Sequence, residues 1–157
     1  MPIVHRINVS DGGVPKTSVD NAIIDDRGVV GDRQEDTVHH GSPDQALCLY
    51  SLEVIEGLQD EGHPIGEGSA GENLTIAGID WSLVVPGVRL EVGSQVEIEI
   101  AGYATPCSKN AQWFVDGDFT RMLQSRHPGE SRIYARILTG GAVTMGDEVR
   151  LVGKLGD

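Results

Sequence analysis

The residues best suited to chemistry in this sequence surround a cysteine in its second half. The segment Thr105-Pro106-Cys107-Ser108-Lys109-Asn110 places a thiol two residues before a cation, in a loop that proline constrains. A nearby lysine favours the thiolate, the form of cysteine that ligates metals and carries sulfur. A lone loop cysteine is usually inert. On this segment alone, Cys107 is a candidate metal ligand or sulfur carrier.

The sequence contains one other cysteine, in a different setting. Cys48 lies inside the apolar run Ala46-Leu47-Cys48-Leu49, which predicts a buried core residue. Two cysteines this far apart are too few for a disulfide framework or a zinc ribbon. Cys107 is therefore the cysteine expected to react.

A second polar group lies in the first third of the chain, where Gly31-Asp32-Arg33-Gln34 is followed by His39-His40-Gly41. Arginine and histidine donate hydrogen bonds suited to phosphate, and glycine lets the backbone approach a ligand closely. The group can bind an anion, or it can be a polar surface turn. A zinc site is a weaker alternative, because adjacent histidines on an extended segment point to opposite sides.

A third group, Gly71-Glu72-Asn73-Leu74-Thr75, enters a predicted strand from a glycine-rich loop. Glu72 and Asn73 would then lie at the mouth of that strand, although a turn with a backbone-bonding Asn fits equally well. The sequence shows no Ser/His/Asp order, HExxH, Walker or dinucleotide-binding fingerprint. These residues alone indicate a reactive cysteine near an anion pocket.

Alternating apolar residues predict the elements that carry these groups. Strands are expected over residues 3–9, 45–50, 95–101 and 132–138, and helices over residues 52–60 and 119–124, capped by Ser51 and Asp118. The acids of residues 95–101 lie on the predicted solvated face. The polar face of residues 132–138, which carries Arg132, Tyr134 and Arg136, could be functional.

The composition predicts a single β-rich domain. A chain of 157 residues with 21 glycines and only 4% aromatic residues favours many short strands joined by turns such as Asp11-Gly12-Gly13, Gly140-Gly141 and Gly146-Asp147. We expect one domain over residues 1–157, with its core at about 3–152, folded as a closed or partly closed β-barrel with a few short helices.

The charge and hydropathy limit the expected partners and location. A net charge of −12 disfavours nucleic acid and anionic membranes, although a few cations in one pocket could still bind a small anion. Neither a signal peptide nor a membrane-spanning run is visible in the sequence. We therefore expect a soluble, cytoplasmic protein.

Taken in order, these motifs resemble a known family. Gly31-Asp32-Arg33-Gln34, the segment from His39 to Ala46, Gly71-Glu72-Asn73-Leu74-Thr75, Pro106-Cys107-Ser108-Lys109 and Gly146-Asp147 are together similar to the MOSC family, named after the C-terminal domain of molybdenum cofactor sulfurases. The resemblance extends from about residue 3 to residue 152. It implies a β-barrel that binds the pterin-based molybdenum cofactor, molybdopterin.

The resemblance also implies roles for individual residues. Cys107 matches the cysteine that ligates molybdenum or carries sulfur. Arg33, His39, His40 and Lys109 would contact the cofactor's phosphate or pterin edge, and Glu72 and Asn73 would shape the pocket. Gly41 and Asn110 complete the predicted cofactor-binding set.

The chain departs from the stand-alone reductase pattern at two places. That pattern has an arginine just before the Pro-Cys pair and an aromatic residue just after it, where this chain has Thr105 and Ser108. Compared with that pattern, the pocket lacks one cation and one stacking surface, and both would contribute to cofactor retention and reductase activity. Arg132 or Arg136 could replace the missing charge.

The resemblance leads to two functional hypotheses. In the first, the protein is a small molybdoenzyme that reduces N-hydroxylated compounds with electrons from an external redox partner. In the second, Cys107 carries a persulfide supplied by a cysteine desulfurase, or delivers the cofactor to another enzyme. A barrel that keeps these motifs for packing and binds no molybdenum is the remaining alternative.

Overall fold

A computed structural model describes residues 1–10, 15–32 and 43–154, and it shows a mainly β protein. Within these ranges, the strands are β1 (Ile3–Val9), β2 (Thr17–Val19), β3 (Asn21–Asp25), β4 (Gly28–Val29), β5 (Leu47–Ser51), β6 (Leu74–Ala77), β7 (Val88–Val92), β8 (Val96–Tyr103), β9 (Ile133–Thr139), β10 (Gly141–Thr144) and β11 (Val149–Lys154). The helices are α1 (Leu52–Asp60) and the short 3-10 helices Pro43–Gln45, Trp81–Leu83, Ser108–Trp113 and Phe119–Met122.

The described strands form two sheets. The larger has the order β11-β7-β8-β9-β5-β6-β1-β2, and the smaller has the order β10-β3-β4. β5 and β6 pair in parallel and are connected through α1, whereas their neighbours pair antiparallel. This confirms the expected mainly β fold with few helices.

The larger sheet would form a closed barrel if its outer strands were paired with each other. No ladder of hydrogen bonds joins its outer strands β11 and β2 in the described ranges, so the closed barrel stays a prediction. One isolated bridge pairs Ile3 of β1 with Glu148, directly before β11. The backbone amide of Val4 also donates to the carbonyl of Asp147 at 2.8 Å.

β8 illustrates how the core is built. One face of the strand is apolar and buried, and it consists of Val96, Ile98 and Ile100. The glutamates of the opposite face are half-buried and ion-paired, Glu97 with Arg89 at 3.1 Å and Glu99 with Arg136 at 2.9 Å. The face was predicted correctly, but cross-strand arginines as well as solvent surround its acids.

One of the two predicted helices is an α-helix with the predicted bounds, and the other is a shorter 3-10 helix. α1 begins at Leu52 as predicted, because the hydroxyl of Ser51 accepts a hydrogen bond from the amide of Val54 at 3.1 Å. The second is a 3-10 helix that ends at Met122, two residues earlier than predicted. Asp118 caps it as expected by accepting from the amide of Thr120 at 3.1 Å.

Two strands near the motifs begin one or two residues later than predicted. β5 begins at Leu47 rather than at residue 45, since the 3-10 helix Pro43–Gln45 precedes it. β9 begins at Ile133, so Arg132 lies just before the strand. None of the helices in the described ranges is long and apolar enough to cross a membrane.

Candidate functional site

Cys107 is an exposed residue at the start of the 3-10 helix Ser108–Trp113. Two hydrogen bonds fix its backbone. The side-chain oxygen of Asn110 accepts from the Cys107 amide at 3.1 Å, and the Asn110 amide donates to the Cys107 carbonyl at 2.9 Å. Asn110 is only 3% exposed, so these contacts make it a support for Cys107. The cation of the motif, Lys109, is exposed on the same helix.

Tyr134 pairs with one cysteine and interacts electrostatically with both. In β9 it pairs with Cys48 of β5 and with Gly102 of β8. Burial raises the pKa of the Tyr134 phenol, and negative charge at Cys48 or Cys107 raises it further. Both thiols are therefore within electrostatic reach of one hydroxyl, which keeps its proton at neutral pH.

Cys48 is a core residue, as predicted. It is 7% exposed, and burial raises the pKa of its thiol to about 11. The charges of Arg132, Glu72 and Lys16 also act on this thiol. Cys48 is thus a neutral thiol whose backbone contacts the polar network through Asn73.

Asn73 connects Cys48 to a buried ion pair. Its side-chain oxygen accepts from the Cys48 amide at 2.9 Å, and its side-chain nitrogen donates to Asp32 at 2.9 Å. Asp32 also accepts from the ammonium of Lys16 at 2.7 Å and from the amide of Ser10 at 2.8 Å. The side chains of Lys16 and Asp32 are 9% and 5% exposed. Asn73 thereby ties β5 to the segment that carries Asp32.

Glu72 organises the glycine-rich loop. It is fully buried, and one carboxylate oxygen accepts from the amide of Gly68 at 2.9 Å and from the hydroxyl of Thr75 at 3.0 Å. Burial raises the pKa of the Glu72 carboxyl, and the Gly68 hydrogen bond opposes that shift. These contacts belong to a residue that shapes a loop, and contact between Glu72 or Asn73 and a cofactor stays a prediction.

Four of the predicted site residues fall in one stretch of the sequence. Arg33, His39, His40 and Gly41 lie outside the described residues, as does the turn Asp11-Gly12-Gly13. Among residues 1–10, 15–32 and 43–154, no group of three or more His, Cys, Asp or Glu side chains could hold a metal ion. The described part of the site therefore consists of Cys107 with its support and the polar residues around Cys48.

The contrast between the cysteines leads to a test of reactivity. We expect iodoacetamide at pH 8 to alkylate folded protein once, at Cys107. A thiol with a pKa of about 11 is only about one part in a thousand thiolate at that pH, and burial of Cys48 also blocks access. Peptide mapping by mass spectrometry would locate the adduct. Both cysteines should react in urea, and equal rates in the folded protein would contradict the assignment.

Comparison with known proteins places the chain in a family. Residues 36–150 match the family model described as the MOSC domain. YflK of Bacillus subtilis (strain 168) is 31% identical over 125 residues, which are 79% of this chain and 55% of that protein. YiiM of Escherichia coli (strain K12) is 26% identical over 149 residues, which are 92% of this chain and 65% of that protein. The chain thus spans less than two thirds of each relative's length.

Solved structures support the fold. A crystal structure of YiiM from Geobacillus stearothermophilus superposes with a TM-score of 0.77 at 24% identity, covering 97% of this chain and 75% of the other. The YuaD protein of Bacillus subtilis gives a TM-score of 0.71 at 19% identity, covering 95% of this chain and 94% of the other. At these identities the likeness concerns the fold alone.

Proposed function

Because this chain belongs to the MOSC domain family, we propose that it binds molybdenum cofactor and that Cys107 ligates the metal. The observation that carries the proposal is the exposure of Cys107, in contrast to the burial of Cys48. Asn110 holds the backbone on both sides of the Cys107 thiol in a defined turn. A single soft sulfur donor suits a cofactor whose molybdenum brings its other ligands with it.

The remaining predicted residues would hold the organic part of the cofactor. Arg33, His39, His40 and Lys109 would donate to its phosphate or pterin edge, and Gly41 would let the backbone approach. Local cations matter here because a net charge of −12 gives an average field that repels anions. Asn73 and Glu72 would maintain the wall of the pocket through their contacts with Cys48 and Gly68.

The proposed reaction is the reduction of an N-hydroxylated compound. A hydroxylamine, two electrons and two protons give an amine and water, and an external redox protein supplies the electrons. When bound, the cofactor supplies the two-electron chemistry, and the protein supplies binding and orientation. In this reaction Cys107 would hold the metal, and Asn110 would position Cys107 through its two hydrogen bonds to the Cys107 backbone.

Activity measurements test this reaction directly. Protein from a host that makes molybdenum cofactor would be given a reduced viologen dye and an N-hydroxylated amine, and formation of the amine would be followed. We expect Cys107→Ser to lower the rate at least about 100-fold, since loss of outer partners of a metal alone costs about 10- to 100-fold. Cys48→Ala should stay active. No turnover by the wild type, or equal turnover by Cys107→Ser, would contradict the reaction.

A second candidate, sulfur transfer, follows from the same exposed thiol. The Cys107 thiolate would attack the outer sulfur of a persulfide on a cysteine desulfurase. The S–S bond of the donor breaks, the donor cysteine leaves as a thiolate, and Cys107 gains the sulfur as a persulfide. Thr105 and Ser108, which depart from the reductase pattern, favour this alternative.

Mass spectrometry can detect the persulfide. After incubation with a cysteine desulfurase and free cysteine, we expect the wild type and Cys48→Ala to gain the mass of one sulfur atom at Cys107. Cys107→Ser should gain none. An unmodified Cys107 in the wild type would exclude sulfur transfer from this donor.

A further inference from the structure

Arg132 is a buried cation whose donors are only partly used. The residue is 7% exposed, and its Nη1 donates to the carbonyl of Ala70 at 2.8 Å. Its buried Nε has no hydrogen-bond partner in the described part of the chain. Nor do residues 1–10, 15–32 and 43–154 supply it with an ion-paired carboxylate. A buried charge without a counter-charge is costly, so this guanidinium requires explanation.

The carbonyl of Arg132 accepts a hydrogen bond from the amide of Ala104 at 2.9 Å, so its backbone lies against the segment that leads to Cys107. Burial raises the pKa values of Cys48, Tyr50 and Tyr134, and in each case the charge of Arg132 opposes the shift. Tyr134 also senses Cys107. The Ala104 contact, three residues before Cys107, is the geometric link between Arg132 and the Cys107 loop, and both residues act on the Tyr134 phenol.

Two acids of the polar network, Glu72 and Asp32, could in principle neutralise Arg132, and neither is ion-paired with it in the described part of the chain. Burial raises the pKa of Glu72, so a permanent negative charge is disfavoured at that position. One of its oxygens is occupied by Gly68 and Thr75. The carboxylate of Asp32 is already paired with Lys16. Neither acid neutralises Arg132 in the way that a direct ion pair would.

Arg136, the other arginine of this polar face, is exposed and ion-paired. Its side chain is 44% exposed, and it forms ion pairs with Asp44 at 3.0 Å and with Glu99 at 2.9 Å. Its charge is thus satisfied at the surface. Of the two arginines that could replace the missing cation at position 105, the structure favours Arg132.

We propose that Arg132 binds a phosphate-type oxyanion beside Cys107. With Nη1 held by Ala70, the Nε and Nη2 edge of the guanidinium has no partner among the described residues and would donate to two oxygens of the anion. Within the proposed function, on which this part of the inference rests, the oxyanion is the phosphate of the cofactor. A free phosphate-type anion presents the same chemistry.

The test uses inorganic phosphate as the probe and thermal unfolding as the readout. Millimolar phosphate should raise the Tm of the cofactor-free wild type by about 3 °C over chloride of equal ionic strength. Arg132→Met should lose this shift, and Arg132→Lys should keep only part of it because lysine cannot bind in a bidentate manner. Arg136→Met, the matched control, should respond like the wild type. An absent wild-type shift, or an equal shift in Arg132→Met, would overturn the proposal.

A second readout does not depend on the stability of the variants. Phosphate should slow alkylation of Cys107 by iodoacetamide in the wild type. The half-protecting phosphate concentration should rise at least about tenfold in Arg132→Lys, as expected when a bidentate contact is lost. Equal protection in the two proteins would count against Arg132 as the binding residue.

Further variants distinguish the phosphate of the cofactor from a free phosphate. They also distinguish failure of the Arg132 proposal from failure of the proposed function. If Arg132→Met made in a cofactor-producing host also loses pterin, the anion is the cofactor's phosphate; if it keeps pterin but loses the phosphate response, the anion is a free one. Cys107→Ser should retain the phosphate response even without metal. A wild type that binds molybdenum but ignores phosphate would refute the role of Arg132 and leave the proposed function intact.

Discussion

Replacing Asp32 by alanine is expected to lower the free energy of unfolding by about 3–5 kcal/mol, the usual cost of removing one partner of a buried ion pair. The substitution leaves the ammonium of Lys16 buried without its counter-charge. It also removes the acceptor for the side chain of Asn73 and for the amide of Ser10. Urea unfolding followed by circular dichroism would measure the loss.

Two controls separate this effect from an ordinary lost contact. Glu97→Ala breaks a more exposed ion pair, with Arg89, and should cost about 0–1 kcal/mol. Combining Asp32→Ala with Lys16→Met should recover part of the loss, because the unpaired charge is then removed as well. If Asp32→Ala costs no more than Glu97→Ala, the pair does not support the fold in the way described.

Gly28→Ala is the second substitution with a large expected effect. Gly28 has a φ of +111°, and a Cβ at this position would overlap the carbonyl oxygen of Ala46. Positive φ alone costs a residue with a side chain about 1–3 kcal/mol, so with the overlap we expect a loss of at least about 3 kcal/mol. The close approach packs the segment leading to Asp32 against the start of β5. Thermal and urea unfolding would both register the change.

The same substitution elsewhere provides a matched control. Gly57 lies in α1, and a Cβ there meets nothing within 4 Å. Gly57→Ala should therefore stabilise the protein by about 0.5–1 kcal/mol, because alanine is the better helix former. Similar effects from the two variants would show that the backbone at Gly28 accommodates a side chain after all.

The sequence predicted elements best where a local pattern is strong. β1 has the predicted bounds, and α1 follows from Ser51 and the spacing of Ile55 and Leu58. Apolar alternation also identified the buried face of β8. Ends were less accurate where 3-10 geometry intervenes, as before Leu47, because such turns have little periodicity to reveal them.

The polar network was harder to predict because its members are distant in the chain. Nothing around Lys16 indicates that it will meet Asp32, and their contact depends on long-range packing. The sequence placed Tyr134 only on the polar face of a predicted strand and gave no sign of its contact with Cys48. Asn110 was predicted only as a cofactor-binding residue. Its contact with Cys107 does have a local signal, since a side chain that accepts from the backbone amide three residues earlier is common at helix starts.

The central claim is that Cys107 holds molybdenum cofactor, and metal content tests it most directly. Wild type, Cys107→Ser and Cys48→Ala would be purified from a host that makes the cofactor, and molybdenum and pterin would be measured per chain. We expect about one of each in the wild type and in Cys48→Ala, and a loss of at least about tenfold in Cys107→Ser. A wild type without molybdenum, or a Cys107→Ser variant that retains it fully, would contradict the claim.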